Sequence, residues 1–253
     1  MGNELNNFMV GNGYSLLTFA EIDSTNLEAR RQILKGATIP MWIVASLQLK
    51  GRGRRGNQWV SPPGNLYCSL ALPMEKDLSQ SAELSFVAAN ALHKTFVSLG
   101  LGLDRVKTKW PNDVWVDGKK ISGILLEVCE NKAQQKHIII GMGVNIAHSP
   151  ESADYQTTNL KKCLGENINI SNFFNKLSEI LNLDYQEWLM TGFGFARGYW
   201  LKNSMGLGKE ITVCLPNEEL QGIFSGLSED GALLLENIDG QLTPVYAGDV
   251  FFT

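Results

Sequence analysis

The chain has little of what marks the simplest protein classes. Its 253 residues hold four cysteines, Cys68, Cys129, Cys163 and Cys214, far apart and with no C-x-x-C pair. That spacing argues against a zinc knuckle or a disulfide framework and leaves reduced thiols in a cytoplasmic protein as the expectation. The three histidines, His93, His137 and His148, show no ligand spacing, so no dedicated metal site is expected. No stretch approaches the ~18 uninterrupted apolar residues of a membrane span. The N-terminus lacks a basic stretch followed by an apolar one, so no signal peptide is expected, and Asn6 stands where a myristoylation pattern needs Ser or Thr. Positive charge is not in excess either. The 22 Lys+Arg against 26 Asp+Glu give a net charge of −4, so any cationic site must be local.

What is present is ordinary globular material. With 44% hydrophobic and 19% charged residues the chain can build a sizeable core, and its length predicts one or two domains. Apolar runs rich in branched and aromatic residues predict strands over 41–47, 66–72, 114–116, 121–128 and 137–146. Asp117-Gly118 between two of these runs predicts a two-residue hairpin, and a turn over 131–135 would extend it into an antiparallel meander. Helical patterns cover 26–35, where Thr25-x-x-Glu28 fits a capping box and Gly36 a stop, and also 81–99 and 171–190. Strands with hairpins, interrupted by helices, indicate α+β. Beyond Met205 the helical period vanishes, and short runs over 211–215, 222–227, 232–235 and 245–251 predict a small all-β unit. The expected domains are therefore 1–205 and 206–253. The second is near the lower size limit for folding alone, so it should pack on the first.

Three segments carry the chemical signal. Lys50-Gly51-Arg52-Gly53-Arg54-Arg55-Gly56 places four cations and three glycines in seven positions, followed by Asn57-Gln58-Trp59. Glycine lets backbone N–H groups approach an anion, and guanidinium groups grip phosphate or carboxylate with two hydrogen bonds. A solvated basic turn and a minor-groove hook remain open alternatives, whereas a P-loop is excluded by the missing G-K-[ST]. The second segment runs from Lys109-Trp110-Pro111-Asn112-Asp113 through Lys119-Lys120 to Gly123, Leu125 and Glu127. Side chains alternate along a strand, so one of Lys119 and Lys120 can enter a site while the other meets solvent. The third, Gly141-Met142-Gly143-Val144-Asn145-Ile146, permits close approach to a strand end. Ile146 occupies the third glycine position of a dinucleotide fingerprint and excludes that reading.

In this order, and with Asp23-Ser24-Thr25-Asn26 and Gln48 ahead of them, these segments resemble the biotin protein ligase family (biotin–[acetyl-CoA-carboxylase] ligases), over nearly the whole chain. The resemblance implies a central mixed or antiparallel sheet packed with helices, like the catalytic domain of class II aminoacyl-tRNA synthetases, followed by a small Src-homology-3-like β-barrel. It implies an ATP-dependent enzyme that makes biotinyl-5′-AMP and passes biotin to a lysine of a biotin carboxyl carrier domain, with Mg2+ accompanying ATP. By the same resemblance Lys120 bridges the biotin carboxylate and the α-phosphate, and Arg52 and Arg54 hold their oxygens. Ser24, Thr25, Asn26 and Gln48 meet the polar head of biotin, although Thr25 also fits a helix cap. Gly51, Gly123, Leu125, Gly141 and Gly143 line its channel, while Trp59, Asn112 and Asn145 contact the nucleotide. Asp113 reads as supporting structure or a hairpin hydrogen bond, Trp59 equally as a structural residue closing the loop, and Glu127 as structural. The loop itself is expected to be flexible and to order over its ligand.

Two departures qualify the resemblance. Asn57 stands where many relatives carry a basic residue. The first motif begins by residue 23, which leaves no room for the DNA-binding domain of bifunctional members, so no DNA binding is expected. The sequence does not select between a monomer and a weak homodimer. The rival readings are a lipoate-protein ligase, a nucleic-acid module using the arginine loop, and a catalytically silent biotin binder.

Overall fold

The computed structural model describes residues 7–10, 13–151 and 155–252. Strands β1 (Asn7–Met9), β2 (Ser15–Phe19), β3 (Met41–Ala45), β4 (Leu66–Pro73), β5 (Val106–Lys109), β6 (Asp113–Val116), β7 (Lys119–Glu130) and β8 (Lys136–Val144) form one sheet in the order β1-β2-β3-β4-β8-β7-β6-β5. β2 and β3 are parallel, and the other neighbours run antiparallel. The helices are α1 (Thr25–Lys35), α2 (Leu78–Ser81), α3 (Glu83–Ser98), α4 (Leu160–Leu164), α5 (Ile170–Thr191) and α6 (Phe193–Lys202). A second, all-antiparallel sheet of β9 (Glu210–Cys214), β10 (Glu219–Leu227), β11 (Leu233–Glu236), β12 (Leu242–Val245) and β13 (Asp249–Phe252) follows in the order β12-β11-β10-β9-β13. The α+β expectation holds.

Period-two alternation builds the main core. On β4, Leu66, Cys68, Leu70 and Leu72 face one side, and on β8 so do Ile138, Ile140, Met142 and Val144. Helices α3 and α5 close that side, with Trp42 edge-on to Phe174 at 5.1 Å and Phe96 against Phe173 at 5.6 Å. The other side is covered near β3 by α1, whose Ala29 and Ile33 pack with Met41, Ile43, Ala71 and Ile139. Where α1 covers the second face, β3 and the adjoining ends of β4 and β8 are apolar on both sides and read as continuous runs. The second sheet shares the first core through Phe224, which lies against Trp200, and Trp200 lies against Phe86.

The expected meander is present as β6-β7-β8. Asp117 and Gly118 both have positive φ, 51° and 72°, as a tight hairpin turn between twisted strands requires. Elsewhere the structure differs from expectation. Helix α1 begins one residue early, with Ser24 as its N-cap and no side-chain cap bond, so Thr25 is free for a contact elsewhere. The run 245–251 divides into β12 and β13, separated by a turn and placed on opposite edges of the second sheet. Strands β2 and β5 and helix α6 were not visible as patterns: β2 and β5 are short, and α6 has only Phe193, Ala196 and Trp200 buried.

One irregularity decides where the site can be. On β7, Lys120 pairs with Trp115 but Ser122 pairs with Val114, so Ile121 is an extra residue. Ile121 joins the apolar core, together with Ile124 on the even-numbered face. Strict alternation would send Lys120 to that core with Ser122 and Ile124. The bulge reverses it, putting Lys120 on the same face as Gly123, Leu125 and Glu127.

The packing argument is open to measurement. Leu70 is 1% exposed at the centre of β4. Leu70→Ala should destabilise the protein by about 2–5 kcal/mol, read as a lowered urea midpoint at unchanged slope.

Candidate functional site

A cleft of about 510 Å3 opens on the sheet face opposite α3 and α5, beside the N-terminus of α1. Lys120 stands in it, 9% exposed, with Nζ 2.8 Å from Asp113 Oδ1. Its partner on the turn, Lys119, is exposed, as alternation requires. The ammonium also lies 4.8 Å from the ring of Tyr155 and 5.6 Å from that of Trp59. Burial alone pushes the Lys120 pKa down, but Asp113 and Tyr155 outweigh it and hold the group above the ordinary lysine value. The segment carrying Tyr155 is pinned to this lysine: the Lys120 N–H donates to Gln156 O at 2.9 Å and the Thr158 N–H to Lys120 O at 2.9 Å.

A chain of neutral polar groups forms one wall. The Thr25 hydroxyl and backbone N–H both donate to Gln48 Oε1, at 3.1 and 2.9 Å, and Gln48 Nε2 donates to Ser61 Oγ at 3.0 Å. Ser69 Oγ lies 2.7 Å from Thr25 Oγ1 and 2.6 Å from Asn26 Oδ1, and its single proton serves one of them at a time. Asn26 Nδ2 donates to Glu127 Oε2 at 2.8 Å and to Leu125 O at 3.3 Å. Sequence reasoning missed Ser69. Its signal was a hydroxyl in the apolar run Leu66–Pro73, whose opposite face is entirely core.

The basic loop divides its charges. Arg52 Nη2 sits 2.5 Å from Glu127 Oε2 and Arg55 Nη1 is 3.0 Å from Asp249 Oδ2, while Lys50 is exposed. Arg54 turns inward, and Nη1 donates to Asn112 Oδ1 at 3.3 Å. Burial pulls its pKa below the ordinary arginine value, only partly opposed by Asp249 and Asp113. The loop is already folded: Arg52 and Gln58 bridge as antiparallel neighbours, Gly53 N–H donates to Asn57 O at 2.7 Å, and Arg54–Gly56 make one 3-10 turn with Arg55 at φ 53°. Ion pairs at two of its arginines supply the order that composition alone does not reveal.

Thr25, Asn26, Gln48, Arg52, Arg54, Asn57, Trp59, Asn112, Lys120, Gly123, Leu125, Gly141 and Gly143 all line the cleft. The glycines matter because their own neighbours fill the space a side chain would take. A Cβ at Gly141 would lie 2.1 Å from Asn26 Oδ1, and one at Gly143 would lie 2.3 Å from Trp59 Nε1. Trp59 therefore rests on the floor of the cleft rather than closing the loop from outside.

Three expected contact residues lie off the cleft wall. Ser24 is 2% exposed at the cap of α1. Gly51 accepts the Trp59 N–H at 3.0 Å, and its missing Cβ clears Trp59 O and Ser61 Oγ, a packing requirement. Asn145 is 2% exposed and donates to Thr158 O at 3.1 Å, so it braces the strand beside Lys120. Glu127, read as structural, is the anchor shared by Asn26 and Arg52. The second sheet adds Asp249, Val250, Phe251 and Phe252 to the cleft, and β5 adds Lys109. Among the described residues no cluster of three metal-ligating side chains occurs and no helix is long and apolar enough to cross a membrane. The arrangement offers a neutral polar cradle, a buried ammonium and an inward guanidinium, which can hold two small anions side by side.

Comparison with known proteins agrees with that geometry. Residues 18–145 match the biotin/lipoate A/B protein ligase family and residues 206–253 match the biotin protein ligase C-terminal domain. The chain belongs to the biotin/lipoate A/B protein ligase family. Its relatives are biotin ligases: it is 35% identical to the biotin–[acetyl-CoA-carboxylase] ligase of Paracoccus denitrificans, over 92% of this chain and 98% of that one. It is 30% identical to the bifunctional ligase/repressor BirA of Escherichia coli strain K12, over 94% of this chain and 74% of that one. The biotin protein ligase of Aquifex aeolicus in complex with biotin and ATP superposes with a TM-score of 0.80 at 26% identity, covering 93% of this chain and 97% of that one.

Removing the counter-ion tests the electrostatics. In the wild type, the raised Lys120 pKa means that the pair's contribution to stability is complete below the ordinary lysine value of 10.5 and is lost as pH rises through the higher folded value. Asp113→Asn removes the larger of the two influences that oppose burial and leaves only Tyr155. The Lys120 pKa should then fall below the ordinary value, measured by NMR titration of its side-chain carbon resonances.

Proposed function

We propose that this protein is an ATP-dependent biotin protein ligase that forms biotinyl-5′-AMP and transfers biotin to a lysine of a biotin carboxyl carrier domain. The observation that carries this reading is Lys120, buried yet kept charged at the junction of the polar cradle and the inward Arg54. A carboxylate and a triphosphate brought together repel: two like charges at 4 Å cost about 4 kcal/mol at an effective dielectric of ~20. A preorganised cation between them offsets that repulsion as charge develops.

In this reading Thr25, Asn26 and Gln48, braced by Ser69, hold the polar head of biotin, and Leu125, Gly123, Gly141 and Gly143 border its apolar part. Ser24, Gly51 and Asn145 act behind the wall, as helix cap, close-packed turn under Trp59 and brace of the segment beside Lys120. Lys120 bridges the biotin carboxylate and the α-phosphate. Arg54 and Asn112 bind the nucleotide side, with Trp59 as an aromatic wall between the two substrates. A carboxylate oxygen attacks the α-phosphorus and pyrophosphate leaves. The acceptor amine then attacks the activated carbonyl and AMP leaves. Magnesium enters as the companion of ATP. Arg52, tied to Glu127, keeps the loop over the mixed anhydride and away from water.

Residues 1–205 serve as the catalytic domain and 206–253 as an accessory domain that contributes to the cleft. We assign no DNA-binding role, a reading supported by the acidic net charge and by the inward course of Arg54. Four unpaired cysteines fit a cytoplasmic setting.

Biotin-dependent exchange of labelled pyrophosphate into ATP tests the reading, with lipoate as the rival acid. Exchange with biotin is expected; exchange with lipoate alone would overturn the assignment. Lys120→Ala should lower the exchange rate about a hundred- to a thousand-fold with the circular dichroism spectrum unchanged. Arg52→Gly cuts the tie to Glu127, and it should release adenylate and label bystander lysines more than wild type does.

A further inference from the structure

The cations around the cleft differ in one respect: whether a carboxylate already neutralises them. Lys120 has Asp113, Arg52 has Glu127 and Arg55 has Asp249. Lys109 lines the same cleft, yet among the described residues no carboxylate lies within 4.0 Å of it. Its Nζ is held instead by aromatic faces, 4.4 Å from the ring of Trp115, 5.8 Å from Phe251 and 5.6 Å from Phe252. Aromatic faces compensate a desolvated ammonium only in part: burial, aided by Lys120, pulls the Lys109 pKa below the ordinary lysine value, and the more distant Asp113 and Asp249 oppose it only partly. A cation kept inside a ligand cleft with no carboxylate in ion-pair contact is placed for an anion that arrives with the ligand.

The sheet says which anion. Lys109 ends β5 and Lys120 is the second residue of β7, with β6 between them; Lys109 pairs with Asp113 and Lys120 with Trp115, two residues further along β6. At about 4.8 Å per strand and about 3.3 Å per residue along it, the two lysine backbones stand some 12 Å apart, and the Trp115 ring supports Lys109 on the side of the second sheet. An α-phosphate at Lys120 would therefore have the rest of its triphosphate extending toward Lys109, under β13.

We propose that Lys109, caged by Trp115 of the first sheet and Phe251 and Phe252 of the second, is the binding residue for the β- and γ-phosphates and for the pyrophosphate they become. The inference rests on the ligase reading above. In the adenylation step the bond between the carboxylate oxygen and the α-phosphorus forms and the bond from the α-phosphorus to the bridging oxygen breaks. Its electron pair leaves with pyrophosphate, and no proton is transferred. Charge therefore grows on the leaving group, where Lys109 stands and Lys120 does not. The role also gives the second sheet a part in the first half-reaction only, because biotinyl-5′-AMP carries no β- or γ-phosphate.

Lys109→Met keeps the apolar stem in its aromatic cage and removes the charge. The expected result is a loss of affinity for MgATP in adenylate formation, and for pyrophosphate in the reverse reaction, of about ten- to a hundred-fold. Transfer of biotin from supplied biotinyl-5′-AMP should match wild type, and Lys109→Arg should recover most of the pyrophosphate affinity. Unchanged affinity for MgATP and pyrophosphate would overturn the proposal, and so would an equal loss in transfer from supplied adenylate, which marks a purely structural lysine. Should the wild type show no biotin-dependent exchange, the ligase reading fails by itself. Calorimetric titration of magnesium pyrophosphate into wild type and Lys109→Met then decides the Lys109 site separately, equal affinities overturning it.

Discussion

The site depends on a charge kept where charge is expensive. Lys120 is buried on the floor of the cleft, and Asp113 at 2.8 Å keeps its ammonium protonated there. Without the carboxylate, desolvation would pull the amine's pKa down, opposed only by Tyr155. The pairing in turn depends on the bulge at Ile121, which turns Lys120 from the core face to the cleft face while Asp113 approaches from the neighbouring strand. One inserted residue thus links the register of the sheet to the charge state of the site.

Around that pair the protein distributes its cations by function. Arg52 and Arg55 are spent on internal carboxylates and hold the loop and the second sheet in position. Arg54 and Lys109 have no carboxylate within 4.0 Å among the described residues, and both line the cleft. The polar cradle follows a different logic. Thr25, Asn26, Gln48, Ser61 and Ser69 satisfy one another, so the wall stays intact without a ligand, at the cost of exchanging some of those bonds when one binds.

Much of this was legible before the fold was seen. Hairpin, meander and long helices followed from local rules: the Asp117-Gly118 turn, the branched apolar runs, and the helical patterns over 81–99 and 171–190. The arginine loop and the paired lysines announced an anion site, and strand alternation separated Lys119 from Lys120. Less legible were the elements with weak local signals, β2, β5 and α6, whose stability comes from packing on neighbours distant in sequence. Ser24 and Asn145 carried polar groups in signature segments, yet both lie off the cleft wall, Ser24 at the cap of α1 and Asn145 bonded to Thr158 O.

Sequence alone determined the α+β class, the change of texture after Met205, and the residue types that a carboxylate–phosphate condensation needs, because these follow from neighbours a few positions apart. Tertiary structure alone decided which cations are free and which are paired. Glu127 lies 75 residues from Arg52 and Asp249 lies 194 from Arg55, so no local pattern can report that two loop arginines are neutralised. It also decided that Lys109 has aromatic rings in place of a carboxylate, since Phe251 and Phe252 reach it only when the second sheet packs against the first. Electrostatic pairing is set by distance in space, and only the folded chain defines that distance.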